Sequence, residues 1–172
     1  MPDNKMVSNV EEGRILVLER VFDAPRELVF QMFKEPEHLK RWWGPRGWEI
    51  PVCTVDFRPG GAWHYCMKCV DPNQGEFYGM EAWGKAVYKE IVEPERIIYN
   101  DYFTDAEGNV NDDLPSSLIT MEFIDLGGKT RLVNRSEFVS AEALQIVMDM
   151  GMLQGITETW DRLSELLEGE LK

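Results

Sequence analysis

Apolar and polar positions alternate through "RILVLERVFD" (14–23), which is also rich in branched side chains, the pattern of a half-buried strand. The period then changes. "APRELVFQMFKEP" spaces its apolar residues as a helix does, with Pro25 where a first helical turn tolerates proline. Pro36 ends that helix and can open another, "PEHLKRWW", which Gly44 stops and Pro45 keeps from continuing. The pattern predicts two short consecutive helices.

Strand-like runs follow: "WEIPVCTVDF", "AWHYCMKCV", "FYGMEAWGKAVYKEIV", "RIIYNDYF", "LITMEFIDL" and "TRLVNRSEFV". Turn signals separate them. Pro59 and Gly60 suit a type II turn, "DPNQG" another, and Gly127-Gly128 a hairpin, while "TDAEGNVNDDLPSS" reads as an acidic loop. Gly84 marks a candidate bulge. Ser140 offers an N-cap to a final long helix, from about Ala141 to Glu168. Leu144, Met148, Met152, Ile156, Trp160, Leu163 and Leu167 form one apolar stripe along it.

One striped helix needs a sheet to cover it. The prediction is an α+β helix-grip architecture: a curved antiparallel sheet of about seven strands around a long C-terminal helix, with two short helices after the first strand. Residues 1–13 read as a polar N-terminal tail and 14–169 as a single domain, without internal repeats. The two short helices cannot join the sheet, so they plug one open end. "KRWWGPRGWEI" (40–50), which holds three of the chain's six tryptophans, supplies the bulk for that plug. Trp43 and Trp48 are expected to be substantially buried, with the Gly44-Pro45 turn near a cavity mouth.

Strand alternation assigns the inward faces. Trp63, Tyr65 and Met67 form the more apolar set of their strand, against His64, Cys66 and Lys68. In the next strand Tyr78, Met80, Ala82, Gly84, Ala86 and Tyr88 oppose Phe77, Glu81, Trp83, Lys85 and Lys89. Later inward sets are Ile119, Met121 and Phe123, then Leu132, Asn134, Ser136 and Phe138. The small residues among them leave room, and Gly151 and Gly155, four apart on the last helix, add to it. Such glycines permit close approach by either a strand or a ligand. Met67, Met80, Met121, Met148 and Met152 bring adaptable thioethers to the same faces, suited to a cavity for varied apolar shapes or to a plain methionine-rich core. The candidate ligand-binding set is therefore Trp43, Trp63, Tyr65, Met67, Met80, Ala82, Met121, Asn134, Ser136, Met148, Gly151, Met152 and Gly155.

Composition narrows the partner. The chain has 172 residues and a net charge of −13, which argues against a nucleic-acid binder. No apolar run approaches the ~20 residues of a membrane span, and the first residues have no signal-peptide core. Three cysteines, Cys53, Cys66 and Cys69, fit a reducing cytoplasm without structural disulfides. Cys66 and Cys69 are spaced C-x-x-C, but residues three apart on a strand point to opposite faces. With His38 and His64 as the only histidines, no four-ligand zinc site and no cofactor are expected. No G-x-S-x-G, P-loop, H-E-x-x-H or G-x-G-x-x-G is present. His64, Glu81 and Asp101 are the residues that could serve as acid or base, but alternation turns His64 and Glu81 outward. Asp101 shares a face with Tyr99 and Phe103, and the pattern does not orient that strand. Asp56 and Arg58, two apart, can pair beside the "RPGG" turn.

The segments "RVFDAPRELVFQMFKEPEHLKRWWGP", "DFRPGGAWHY", "EPERI", "GGKTRL" and "GMLQGITETWDRLSELLE" resemble bacterial proteins of the activator-of-heat-shock-ATPase-like (AHSA-type) group. That group lies within the START, polyketide-cyclase and birch-pollen-allergen (SRPBCC) superfamily. The resemblance runs in order from about Arg14 to Glu168. It implies a sheet gripping a long C-terminal helix around a cavity, and leaves three functions open. The first is binding of a small apolar or amphipathic molecule. The second is a cyclase- or hydrolase-like enzyme acting on such a molecule, which a convergent pair of ionisable groups in the cavity would favour. The third is a co-chaperone-like interaction module, which a filled core with an exposed apolar patch would favour. A monomer and a dimer fit equally.

Overall fold

The computed structural model describes residues 5–170. Its strands, in chain order, are β1 (Val7–Glu11), β2 (Ile15–Phe22), β3 (Trp48–Val55), β4 (Ala62–Cys69), β5 (Glu81–Val92), β6 (Arg96–Thr104), β7 (Ser117–Asp125) and β8 (Thr130–Glu137). They form one antiparallel sheet of eight strands ordered β1-β2-β8-β7-β6-β5-β4-β3. Helices α1 (Arg26–Lys34) and α2 (Pro36–Trp42) follow β2, and α3 (Ala141–Asp149) and α4 (Met152–Glu170) close the chain. This is the α+β helix-grip architecture.

The alternation predicted for the strands becomes the packing of the sheet. Leu16, Leu18, Phe22, Trp63, Tyr65, Ala86, Tyr88, Met121, Phe123 and Leu132 are buried on its inner face. Trp160, Leu163 and Leu167 of α4 are buried against them. Phe22 meets Trp160 edge-on at 5.9 Å, and Phe33 meets Trp42 at 4.8 Å. Ser140 caps α3 by accepting a hydrogen bond from the Ala143 amide at 3.1 Å, and Pro36 occupies the first turn of α2. Asp56 and Arg58 pair at 3.0 Å beside their turn.

Three features differ from the sequence expectation. First, part of the segment read as a polar tail is a strand. β1 pairs with β2 from Val7↔Glu19 to Glu11↔Ile15. Most of its side chains are exposed, so its apolar signal is weak; backbone pairing and an Arg135–Glu11 ion pair at 2.6 Å hold it. Second, Gly84 is no bulge. It pairs regularly with Tyr65 and Phe103, and a Cβ there would lie 2.5 Å from the Tyr65 hydroxyl oxygen. Glycine answers a close approach, and the register shift falls between Tyr88 and Glu90. Third, the C-terminal helix breaks at Met150-Gly151. Gly151 has φ +85°, a left-handed conformation that ends α3 and redirects the chain into α4.

Candidate functional site

Two adjoining pockets lie between the inner face of the sheet and the α3–α4 corner. The inner one, of about 200 Å³, is walled by Leu18, Tyr99, Asp101, Phe103, Pro115, Ser117, Ile119, Asn134, Ser136 and Phe138. The outer one, of about 300 Å³, is walled by Gly44, Pro45, Met67, Ala82, Met150, Gly151, Gly155 and Thr159. Trp43, Phe103, Val147, Met152 and Ile156 border both.

The candidate set divides accordingly. Trp43, Met67, Ala82, Asn134, Ser136, Gly151, Met152 and Gly155 line one or both pockets. Trp63, Tyr65 and Met121 are buried beneath the lining without forming it. Met148 packs on the core from α3. Met80 stands apart: it precedes β5, in the turn, and is 46% exposed. The inward set of that strand begins at Ala82, because "DPNQGEF" folds into a short 3-10 segment, Pro72–Phe77, and Gly79 turns at φ +84° before pairing starts.

The aromatic plug is shared differently among the three tryptophans. Trp42 is fully buried and donates its indole N–H to the Met32 carbonyl at 3.0 Å. Trp43 is half-buried and stands at the pocket border, its ring 4.7 Å from Trp63 and 5.7 Å from Tyr65. Trp48 is also half-buried but faces away, donating to Gln74 Oε1 at 3.2 Å. The Gly44-Pro45 turn does border the outer pocket. Arg162 of α4 holds it there: Nη1 donates to the Gly44 carbonyl at 2.8 Å, and Nη2 to the Arg41 carbonyl at 3.2 Å.

Alternation alone did not place Asp101 in the cavity; the structure does. The sheet orients Tyr99, Asp101 and Phe103 inward, with Asp101 between Ala86 on β5 and Ser117 on β7. Both neighbours are short, so the carboxyl is uncovered toward the pocket. It makes no hydrogen bond or ion pair among the described residues. Burial without a partner pushes its pKa up to about 7. Burial, then the Asp101 charge, raises the Tyr65 and Tyr99 phenols well above their ordinary value. Ser117, Asn134 and Ser136 extend the polar edge, and Ser136 donates to Asn134 Oδ1 at 3.0 Å.

His64 and Glu81 lie on the outer face. The His64 ring packs 5.2 Å from Trp83, which donates to Glu81 Oε1 at 3.2 Å. Cys53, Cys66 and Cys69 are free thiols. Among the described residues no group of three His, Cys, Asp or Glu could hold a metal, and no helix is long and apolar enough to cross a membrane.

Solved structures of other bacterial proteins share this fold. A Mycobacterium smegmatis protein, Ms6760, is 30% identical with a TM-score of 0.83, covering 94% of this chain and 96% of its own. An Arthrobacter aurescens protein is 28% identical with a TM-score of 0.84, covering 95% and 91%. The AHSA1 protein of Silicibacter pomeroyi shares the fold at 23% identity and a TM-score of 0.70, covering 91% and 99%. No functionally curated protein matches by sequence. The family described as "Activator of Hsp90 ATPase homolog 1-like protein" matches residues 23–168, and the chain belongs to that family.

Proposed function

We propose that this protein binds a small apolar or amphipathic molecule between its sheet and its C-terminal helices, in the cytoplasm. The observation that carries this reading is the open space at Gly155 of α4 and at Gly151 in the α3–α4 corner. A Cβ at Gly151 or Gly155 would meet nothing within 4 Å, although both residues border the outer pocket. Close packing against a strand would have put atoms there. Among the described residues Asp101 is the only carboxylate on either lining, and the convergent pair of ionisable groups that two-carboxylate chemistry uses is not found among them there. That favours binding over the cyclase- or hydrolase-like reading.

An interaction module is the second reading, favoured by exposed Val70, Phe77, Tyr78 and Met80 around the β4–β5 connection. Native mass spectrometry of protein purified from its own host separates the two. A co-purified small molecule supports the first reading; a stoichiometric protein partner with an empty cavity supports the second. Gly155→Leu tests the cavity directly. The variant is expected to stay folded at a near-normal melting temperature and lose binding of an apolar reporter dye. Unchanged dye binding in a folded variant removes the outer pocket from the proposal.

A further inference from the structure

The cavity's lining carries one sign of charge, and that selects a ligand class. On the apolar side stand Trp43, Phe103, Val147, Met152 and Ile156. On the polar edge stands Asp101, with Ser117 opposite it on β7 and Asn134 and Ser136 on β8. Among the described residues no Arg, Lys or His borders either pocket. An amphipathic anion, such as a fatty acid, would place its carboxylate in a poorly solvated space with no counter-charge and an acidic neighbour. A charge left there without a partner is costly. A cation supplies what Asp101 lacks. Resting on the binding function proposed above, we infer that the ligand is an amphipathic amine, whose ammonium pairs with Asp101 while its apolar body fills the space between Trp43, Met152 and Ile156.

The groups facing Asp101 leave it as the one acceptor of charge. From β4 and β6 come the phenols of Tyr65 and Tyr99, both held protonated well above neutrality. Ala86 faces it from β5, and Ser117 from β7. On β8, Asn134 and Ser136 are uncharged, and Val147, Met152 and Ile156 of the helices carry no ionisable group. With the free carboxyl titrating at about 7, the site passes from neutral to anionic across the neutral range. Amine affinity therefore rises as pH increases from 5 to 8, while a neutral analogue is indifferent.

The test uses decylamine, decanol and decanoate, which share one chain and differ in the head group, each displacing an apolar reporter dye from the full-length protein. Wild type is expected to bind the amine roughly tenfold to a hundredfold more tightly than the alcohol at pH 8, with decanoate weakest. The advantage shrinks at pH 5. In Asp101→Asn the amine is expected to bind no better than the alcohol at either pH. Decanoate binding as tightly as the amine overturns the inference and leaves the binding function standing, as does an amine preference that survives Asp101→Asn. Displacement by none of the three overturns both.

Discussion

Asp101 owes its inward position to the strands on either side of β6, where it pairs with Ala86 and Ser117. Its strand, "RIIYNDYF", carries aromatic and polar side chains on both faces, so alternation has nothing to separate. The neighbouring strands decide the matter, because Ile119 and Ser136 are inward and the register transfers that face to β6. Met80 lies outside the cavity for a related reason: the period of two ends at Glu81, because the 3-10 segment and Gly79 take the preceding residues out of the strand. The position of Asp101 has a consequence for stability apart from any ligand. Its pKa is near 7 when folded, against an ordinary 3.8. The folded protein thus holds this proton more tightly than the unfolded chain does. Stability from this group is fully present below about pH 4 and is lost as pH rises through 7. Asp101→Asn, which removes the charge, is expected to stabilise the protein at pH 8 and to do so less at pH 5. The difference between the two conditions should be on the order of 1–3 kcal/mol, after discounting for the carboxyl's partial exposure. Urea titrations of both proteins at both pH values measure it. A gain that is the same at pH 5 and pH 8 would contradict the assignment.

At the level of elements, helices and strands were legible wherever one face is buried and the other is not. β5, β7 and the stripe on α4 show that contrast, as does β8 apart from Val133, whereas β2 buries Ile15 through Leu18 on both faces, Ile15 and Val17 in a second small cluster with Val133. β1 lacks it, being an edge strand whose hydrogen bonds rather than side chains place it. The break between α3 and α4 is hidden in the sequence because the apolar stripe continues across it, from Leu144 and Met148 to Met152 and Ile156. Gly151 and Gly155 look alike in the sequence, yet their backbones differ, and substitutions should separate them with opposite signs. Gly151 is left-handed at φ +85°, so Gly151→Ala is expected to destabilise by about 1–2 kcal/mol. Gly155 lies within α4, and an added Cβ meets open space. Gly155→Ala should therefore stabilise by up to about 1 kcal/mol through helix propensity. Paired thermal melts read both. A stabilised Gly151→Ala would mean that the corner is a continuous helix in solution.

Across the whole molecule, the cavity depends on how α4 is held over the sheet from two sides. On one side Arg20, its side chain nearly buried, pairs with Asp161 at 2.6 Å. On the other Arg162 reaches the α2–β3 loop, where Nη1 lies 2.8 Å from the Gly44 carbonyl, 3.3 Å from that of Trp43 and 3.4 Å from that of Trp48. The tryptophan-rich loop could be recognised as a plug from its composition, but nothing in the local sequence named the distant arginine that fixes it. Burial lowers the Arg162 pKa, with the nearby Arg46 charge adding to the effect, yet its planar fork still serves several carbonyls at once. Arg162→Met keeps most of the side chain's apolar length and removes those donors, leaving loop carbonyls without partners. The expected cost is roughly 2–3 kcal/mol, a melting temperature lower by about 5–10 °C for a chain of this size. Trp43 is the residue this loop presents at the border of both pockets, so reporter-dye affinity should fall even at temperatures where the variant is fully folded. Arg162→Lys retains the charge but reaches fewer carbonyls from a single nitrogen, and should recover only part of either loss. If Arg162→Met melts like wild type and binds dye unchanged, α4 does not set the mouth through this residue. If stability falls while dye affinity holds, the arginine anchors the helix but the loop keeps Trp43 in place through its own ring contacts with Trp63 and Tyr65.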